Sequence, residues 1–195
     1  SRKALSVEQI GKACEFVKKI SPKSFLVVDN CYGEFVEIDE PTNHGADVIV
    51  GSLIKNAGGG LASTGGYIVG CKKAIDLIAK RFTCPSLGME VGSFEAGYRI
   101  YFQGLFMAPH VVAQAMKGAL FIGKVMEEKG YKTLPSSQEK SSDIIKSIVI
   151  GNSEQLIKSV QTEQKLSPID AFFTPLSQVS SGYACTVIMA SGLFD

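Results

Sequence analysis

The stretch that decides the fold is residues 25–35, which read FLVVDNCYGEF. Its first four residues, 25–28, form a short apolar run between turn residues, and such runs are typical of strands buried on both faces. A second apolar run, at residues 48–50, leads into the segment 51–60, GSLIKNAGGG. The sequence therefore predicts two neighbouring strands of an α/β sheet, each followed by polar residues and tight loops.

Periodic patterns on either side of these strands predict the remaining elements. A capping box from Ser6 to Gln9 starts an amphipathic helix over residues 7–20. The other predicted elements are a strand at 67–69, helices at 72–82 and 110–128, a strand at 144–150, a helix at 153–165 and a strand within 183–190. Around residues 130–142 the composition shifts to Gly, Pro, Ser and Lys, which indicates a boundary. We therefore expect an α/β layer over residues 1–130, with only about three strands, and a smaller α+β unit over residues 131–195.

Composition narrows the class of protein. The 195 residues are 45% hydrophobic and 20% charged, with a formal net charge of +1, which is ordinary for a globular protein. We expect no nucleic-acid partner, because a strong basic excess is missing, and no membrane span, because no uninterrupted apolar stretch is long enough. The 5 widely spaced cysteines predict neither a disulfide framework nor a zinc site. Reduced thiols favour a cytoplasmic location.

Lys55 is the first candidate for chemistry because of the residues around it. A lysine after a buried strand is usually a plain surface residue, but here Ser52 precedes it and Gly58-Gly59-Gly60 follow it. Glycines permit a ligand to approach the backbone closely, and their N–H groups can form an anion-binding nest. The combination indicates an amine beside an anion-binding loop.

Asp29 adds a carboxylate to the same region. An Asp at a strand end is usually a turn residue, yet open α/β sheets bind ligands at the carboxyl ends of their strands. Two strands that end at Asp29 and at Ser52 with Lys55 bring a carboxylate, a hydroxyl and an amine to one edge. Pyridoxal phosphate needs these groups: an amine to form an imine, a carboxylate for the pyridine nitrogen, and a hydroxyl with backbone donors for the phosphate.

Three segments carry a family resemblance: residues 27–35, VVDNCYGEF, residues 51–60, GSLIKNAGGG, and residues 103–112, QGLFMAPHVV. They resemble the aluminium-resistance-type, methionine gamma-lyase-like branch of the fold-type-I pyridoxal-phosphate enzymes, whose members are also called cystathionine beta-lyase-like. Residues 167–170, SPID, and 187–190, VIMA, are similar too, so the resemblance spans nearly the whole chain. It implies part of a fold-type-I transferase-like large domain followed by a smaller α+β C-terminal domain.

The resemblance also implies roles for three residues. Lys55 matches the Schiff-base lysine, Asp29 the carboxylate that faces the pyridine nitrogen, and Ser52 a phosphate-binding serine. Related lyases often carry a hydroxyl residue just before the lysine, where this chain has Ile54, so we expect one phosphate contact to come from elsewhere. Because family members are longer at both ends, we expect this chain to be a fragment without the cofactor-stacking aromatic residue and the substrate-binding arginine.

The leading hypothesis for function is a pyridoxal-phosphate-dependent carbon–sulfur lyase that acts on a sulfur-containing amino acid and assembles as a homodimer or homotetramer. In this hypothesis the released Lys55 moves protons as general base and acid. One alternative is a non-catalytic or degenerate scaffold of the same fold that serves as an interaction protein. Another is a nucleotide-phosphate binder that uses the glycine loop.

Four residues near the predicted site are weaker candidates. Cys31 is interpreted as a buried inert thiol, and Tyr32 as a packing residue, although Tyr32 could also line the site. Glu34 and Glu37 are interpreted as solvated, and only their closeness to Asp29 in the sequence keeps them of interest.

Overall fold

The structure is a computed structural model of the chain and describes residues 3–84, 87–90 and 97–190. Within these ranges the chain alternates helices with short strands. The α-helices are α1 (Val7–Ile20), α2 (Lys72–Phe82), α3 (Arg99–Glu128) and α4 (Ser153–Leu166), and the strands are β1 (Val27–Asp29), β2 (Val48–Ser52), β3 (Gly66–Gly70), β4 (Lys132–Leu134), β5 (Ser147–Val149), β6 (Gln178–Val179) and β7 (Thr186–Val187). Short 3₁₀ helices cover Pro41–His44 and Asn56–Gly58.

The sheet that carries the predicted site has three strands in the order β1-β2-β3. β1 pairs with β2 in parallel, with Asp29 opposite Val50, as expected for two consecutive strands of an α/β layer. β3 pairs with β2 antiparallel, with Tyr67 opposite Gly51. The central strand holds the core of this sheet, because Val48 and Ile49 are both buried.

β1 is not buried on both faces as the sequence predicts. It forms an edge of the sheet, and the side chain of Val27 is 58% exposed. An apolar run predicts full burial only when other elements cover both faces of its strand. Within the described part of the chain, residues of α1 and of β1 line the same cavity, which has a volume of about 510 Å³.

α1 begins and ends as predicted because its start signal is local. Ser6 Oγ accepts a hydrogen bond from Gln9 N at 3.1 Å, and Gln9 Oε1 accepts one from Ser6 N at 2.9 Å, which completes the capping box. Near its other end, Lys18 Nζ lies 2.7 Å from Asp47 Oδ2, and the same oxygen accepts a hydrogen bond from Leu26 N at 2.8 Å. These contacts tie α1 to the starts of β1 and β2.

The prediction of part of a fold-type-I large domain followed by a smaller α+β C-terminal domain is wrong. The described chain is one small α/β unit with four α-helices, and its three sheets have three, two and two strands. α3 contacts both the 3₁₀ helix after Lys55 and strand β4, so this helix connects the two halves. The segment interpreted as a linker contains β4, which pairs with β5. A domain boundary at residue 130 stays a prediction.

α3 is longer than predicted and largely exposed. It begins at Arg99 rather than at residue 110, and Pro109 lies inside it. Phe106 on this helix is 83% exposed. By length and composition α3 could cross a membrane, and it is the one such helix among the described residues. Core helices of soluble proteins meet the same criterion, so the expectation of no membrane stays a prediction.

Candidate functional site

The parallel pairing of β1 and β2 brings the three predicted site residues to one edge of the sheet. Asp29 ends β1 and Ser52 ends β2, and Asn30 N donates to Val50 O at 2.9 Å to keep the two ends in register. Lys55 follows β2 by one turn, in which Lys55 N donates to Ser52 O at 3.3 Å. The carboxylate, the hydroxyl and the amine therefore share the carboxyl edge of two parallel strands, where α/β proteins bind ligands.

Asp29 is an exposed carboxylate held in its ionised form. Its Oδ1 accepts a hydrogen bond from Cys31 N at 3.1 Å. The Cys31 thiol, then the Cys31 backbone N–H, and then the positive charge of Lys55 lower the pKa of Asp29, against the opposing effect of partial burial. A carboxylate with a lowered pKa stays negative at neutral pH and can stabilise a proton on a ligand nitrogen.

Lys55 lies over the ring of Tyr32, with its Nζ 4.5 Å from the ring centroid. Burial works to lower the pKa of Lys55, but the adjacent Cys31 and Tyr32 side chains outweigh it, so the pKa is raised. The amine is therefore a cation at neutral pH in this state. It must lose a proton before it can attack a carbonyl carbon, because only the neutral amine is a nucleophile.

Ser52 and Cys31 complete this edge. Ser52 Oγ accepts a hydrogen bond from Ile54 N at 3.3 Å, which uses a lone pair and leaves the O–H able to donate to an anion. Cys31 is only partly buried, contrary to its interpretation as a buried thiol. Burial, and then the neighbouring Asp29 carboxylate, raise the pKa of its thiol. Cys31 is therefore a neutral thiol between the carboxylate and the amine.

The glycine loop packs against α3, and two of its three glycine amides are used within the loop rather than being left for an anion. The amides of Gly58 and Gly59 donate to loop carbonyls, those of Lys55 and Asn56, both at 3.1 Å. A Cβ on Gly59 would lie 2.1 Å from Gly104 O in α3. These glycines let two backbones approach closely, so their role is to fix the Lys55 loop on the helix.

We expect Gly59→Ala to destabilise the protein by about 3 kcal/mol or more, because its Cβ would clash with backbone that cannot move aside. Gly60→Ala is the matched control: Gly60 also has a positive φ, of 71°, but nothing lies within 4 Å of its Cβ position. The control should lose only about 1 kcal/mol, the cost of a left-handed alanine. Urea unfolding of both variants checks this, and equal losses would contradict the packing role.

Sequence reasoning missed three residues beneath the site. Glu34, interpreted as solvated, is 3% exposed. Tyr67 in β3 donates from its hydroxyl to Glu34 Oε1 at 2.7 Å, and Asn56 Nδ2 donates to Glu34 O at 3.0 Å. Burial raises the pKa of Glu34, and burial followed by the hydrogen bond to Glu34 raises the pKa of Tyr67. No local sequence signal marks this cluster, and only the fold shows that Gly51 makes room for it, because a Cβ there would lie 2.5 Å from the Tyr67 ring.

The fold is that of an α/β protein in which a carboxylate, a hydroxyl and an amine lie at one edge of the sheet. The sequence profile of the family described as methionine gamma-lyase matches residues 1–195. The chain therefore belongs to the methionine gamma-lyase family.

The relatives of this chain are longer than it is. A protein of Lactobacillus delbrueckii subsp. bulgaricus, called an uncharacterized 33.9 kDa protein in the glnA 5' region, is 44% identical over 194 residues, which are 100% of this chain and 63% of that protein. A solved structure from Listeria monocytogenes, provisionally named a cystathionine beta-lyase involved in aluminium resistance, is 44% identical with a TM-score of 0.93. The match covers 98% of this chain and 47% of that one.

A second solved structure is named a carbon–sulfur lyase involved in aluminium resistance and comes from Clostridium novyi NT. It is 44% identical with a TM-score of 0.91, and the match covers 98% of this chain and 44% of that one. This chain thus spans less than half the length of both solved structures. The partial coverage agrees with the small α/β unit described above.

Proposed function

We propose that this protein is a pyridoxal-phosphate-dependent lyase that cleaves a carbon–sulfur bond of an amino acid, with Lys55 as the residue that carries the cofactor. The observation behind the proposal is the Lys55 amine over Tyr32, at the same sheet edge as the ionised Asp29 and the Ser52 hydroxyl. The name of the Clostridium novyi relative supports the reaction class, carbon–sulfur bond cleavage.

The chemistry of these residues fits the cofactor. When bound, pyridoxal phosphate supplies an aldehyde that joins an amine and a protonated ring that withdraws electrons from the substrate's alpha carbon. Lys55 is the amine, and the lowered pKa of Asp29 keeps a negative charge available for the ring nitrogen. The Ser52 hydroxyl can donate to a phosphate oxygen. Because the Gly58 and Gly59 amides are used within the loop, further phosphate donors must come from other groups.

In the proposed reaction, one residue of this chain would transfer protons and two others would support it. Lys55 Nζ, once it is free and neutral, takes a proton from the substrate's alpha carbon and returns one later, as general base and general acid. Asp29 keeps its charge throughout, because hydrogen bonds from Cys31 favour the carboxylate. Tyr32 lies against the amine and limits its movement, so the proton is moved at one fixed position.

The test is to mix the purified full-length protein, rather than these 195 residues alone, with pyridoxal phosphate, record the visible absorbance, and assay several sulfur amino acids for release of a thiol and a keto acid. We expect a yellow protein that turns over at least one of them. A yellow protein without turnover would favour the non-catalytic scaffold, and a colourless protein at micromolar cofactor would contradict the proposal altogether. Light scattering on the same sample tests the proposed homodimer or homotetramer.

We expect Ser52→Ala to weaken cofactor binding by about 1–3 kcal/mol, the usual effect of removing one hydrogen bond to a charged group. Ser167→Ala is the matched control, since the Ser167 hydroxyl donates to Glu163 O at 2.9 Å at the end of α4. A direct titration with pyridoxal phosphate measures both affinities. An unchanged affinity in Ser52→Ala, or an equal loss in both variants, would remove Ser52 from the proposed phosphate site.

A further inference from the structure

A buried carboxyl group lies beneath the proposed site and takes no part in the chemistry described above. Glu34 Oε1 accepts the Tyr67 hydroxyl hydrogen bond, while Glu34 Oε2 is buried without a hydrogen-bond partner among the described residues. Burying a carboxyl group is unfavourable unless its oxygens are hydrogen-bonded, and one oxygen of Glu34 is not. The contacts around Glu34 indicate what the buried group does.

Glu34 lies in a turn whose backbone is strained on both sides. Tyr32 has a φ of 71° and Phe35 a φ of 61°, in the left-handed region that residues with a Cβ rarely adopt. Such a backbone persists only where surrounding contacts hold it. Tyr32 is also the residue whose ring contacts the Lys55 amine. The strain is therefore located where the turn meets the amine.

Two hydrogen bonds connect this turn to the sheet and to the lysine loop. The Tyr67 bond joins the Glu34 side chain to β3, and the bond from the buried Asn56 joins the Glu34 backbone to the residue after Lys55. Gly51 makes room for this arrangement, because a Cβ there would lie 2.6 Å from Glu34 Oε1. Glu34 thus links the Tyr32 turn, the Lys55 loop and β3.

We propose that Glu34 is a positioning residue, which holds the Tyr32 turn against the Lys55 amine through its hydrogen bonds with Tyr67 and Asn56. Its effect on turnover rests on the proposed function, but its effect on Lys55 does not. Burial raises the pKa of Glu34, and the side-chain contact that the group makes is the hydrogen bond accepted from the Tyr67 hydroxyl. Glutamine, which has the same shape and keeps the acceptor for Tyr67, should therefore replace it.

The test measures the mobility of Lys55 in the cofactor-free protein. Acetic anhydride labels lysine amines, and peptide mass spectrometry gives the rate at Lys55 relative to Lys72, whose side chain is 89% exposed. We expect the relative rate at Lys55 to rise about fivefold or more in Glu34→Ala and about twofold to threefold in Tyr67→Phe, because a released loop opens more often. In Glu34→Gln it should stay near the wild-type rate.

Glu127→Ala is the matched control. Glu127 also accepts hydrogen bonds from hydroxyl groups, those of Thr133 and Ser137, but it lies at the far end of α3. Its loss should leave Lys55 labelling unchanged. In the cofactor-loaded protein, Glu34→Ala should lower kcat about tenfold while KM changes less than about twofold, because the substrate contacts remain.

Lys55 labelling within twofold of wild type in both Glu34→Ala and Tyr67→Phe would overturn the proposal. If Glu34→Ala does not fold, Tyr67→Phe decides alone, since it removes a single hydroxyl group. A Glu34→Gln variant that labels like Glu34→Ala would overturn the hydrogen-bonding role. The labelling experiment uses cofactor-free protein. Its result therefore tests the role of Glu34 even if the proposed lyase function is wrong.

Discussion

Replacing Lys55 with alanine is expected to abolish turnover, with a loss of at least about a thousandfold, or roughly 4 kcal/mol of transition-state stabilisation. The variant removes both the amine that would join the cofactor and the base that would move the substrate proton. Lys55→Arg separates nucleophile from charge, because guanidinium keeps the positive charge over Tyr32 but does not deprotonate. Both variants should therefore lose activity equally.

The control for this experiment is Lys72→Ala, which removes an exposed lysine that pairs with Asp76 at 2.9 Å on α2. It should keep full activity. Steady-state rates with the best sulfur amino acid measure all three variants. Substantial activity in Lys55→Ala, or in Lys55→Arg alone, would show that the amine is not the reacting group.

Asp29→Asn is expected to lower kcat by at least about a hundredfold, or roughly 2.7 kcal/mol, with a smaller loss of cofactor affinity. The reason is electrostatic: asparagine carries no charge to hold a proton on the ring nitrogen. The substitution is mild for the fold, because an amide Oδ1 can still accept the hydrogen bond from Cys31 N. The effect should therefore fall on the rate rather than on stability.

Asp47→Asn is the control for Asp29→Asn, and we expect it to change stability rather than the catalytic rate. Asp47 pairs with Lys18 and accepts from Leu26 N, away from the site edge, so its variant should lose stability and keep its rate. Thermal unfolding and kcat are measured for both variants. A loss in Asp29→Asn smaller than about tenfold, equivalent to roughly 1.4 kcal/mol, would mean that the carboxylate does not face the ring nitrogen.

Local signals explain which elements the sequence predicts well. The capping box at Ser6 defines α1, and the apolar run before Ser52 defines β2. The sequence does not predict elements that depend on contacts with distant residues. β4, for example, is a three-residue strand that exists because β5 pairs with it. α3 extends through Pro109, a residue that more often marks a helix start. The antiparallel direction of β3 has no local signal either, because a long loop separates it from β2.

The residues of the candidate site also fall into predictable and unpredictable ones. Asp29, Ser52 and Lys55 are predictable because they follow apolar strands, and strand ends meet at one edge. Glu34 is not predictable, since its burial depends on Tyr67, a residue distant in sequence. The sequence of the glycine loop is compatible with two roles, an anion-binding nest or a surface for close backbone packing. Its contact with Gly104 in α3 indicates the packing role, and no local sequence pattern connects Gly104 with Gly59.

The identity of the cofactor lysine is the central claim, and borohydride reduction tests it most directly. Borohydride locks an imine between pyridoxal phosphate and a lysine amine, and digestion with mass spectrometry locates the modified residue. We predict one modified peptide, with the reduced cofactor on Lys55, and none in Lys55→Ala. A label on any other lysine, or no label on a protein that binds the cofactor, would contradict the account.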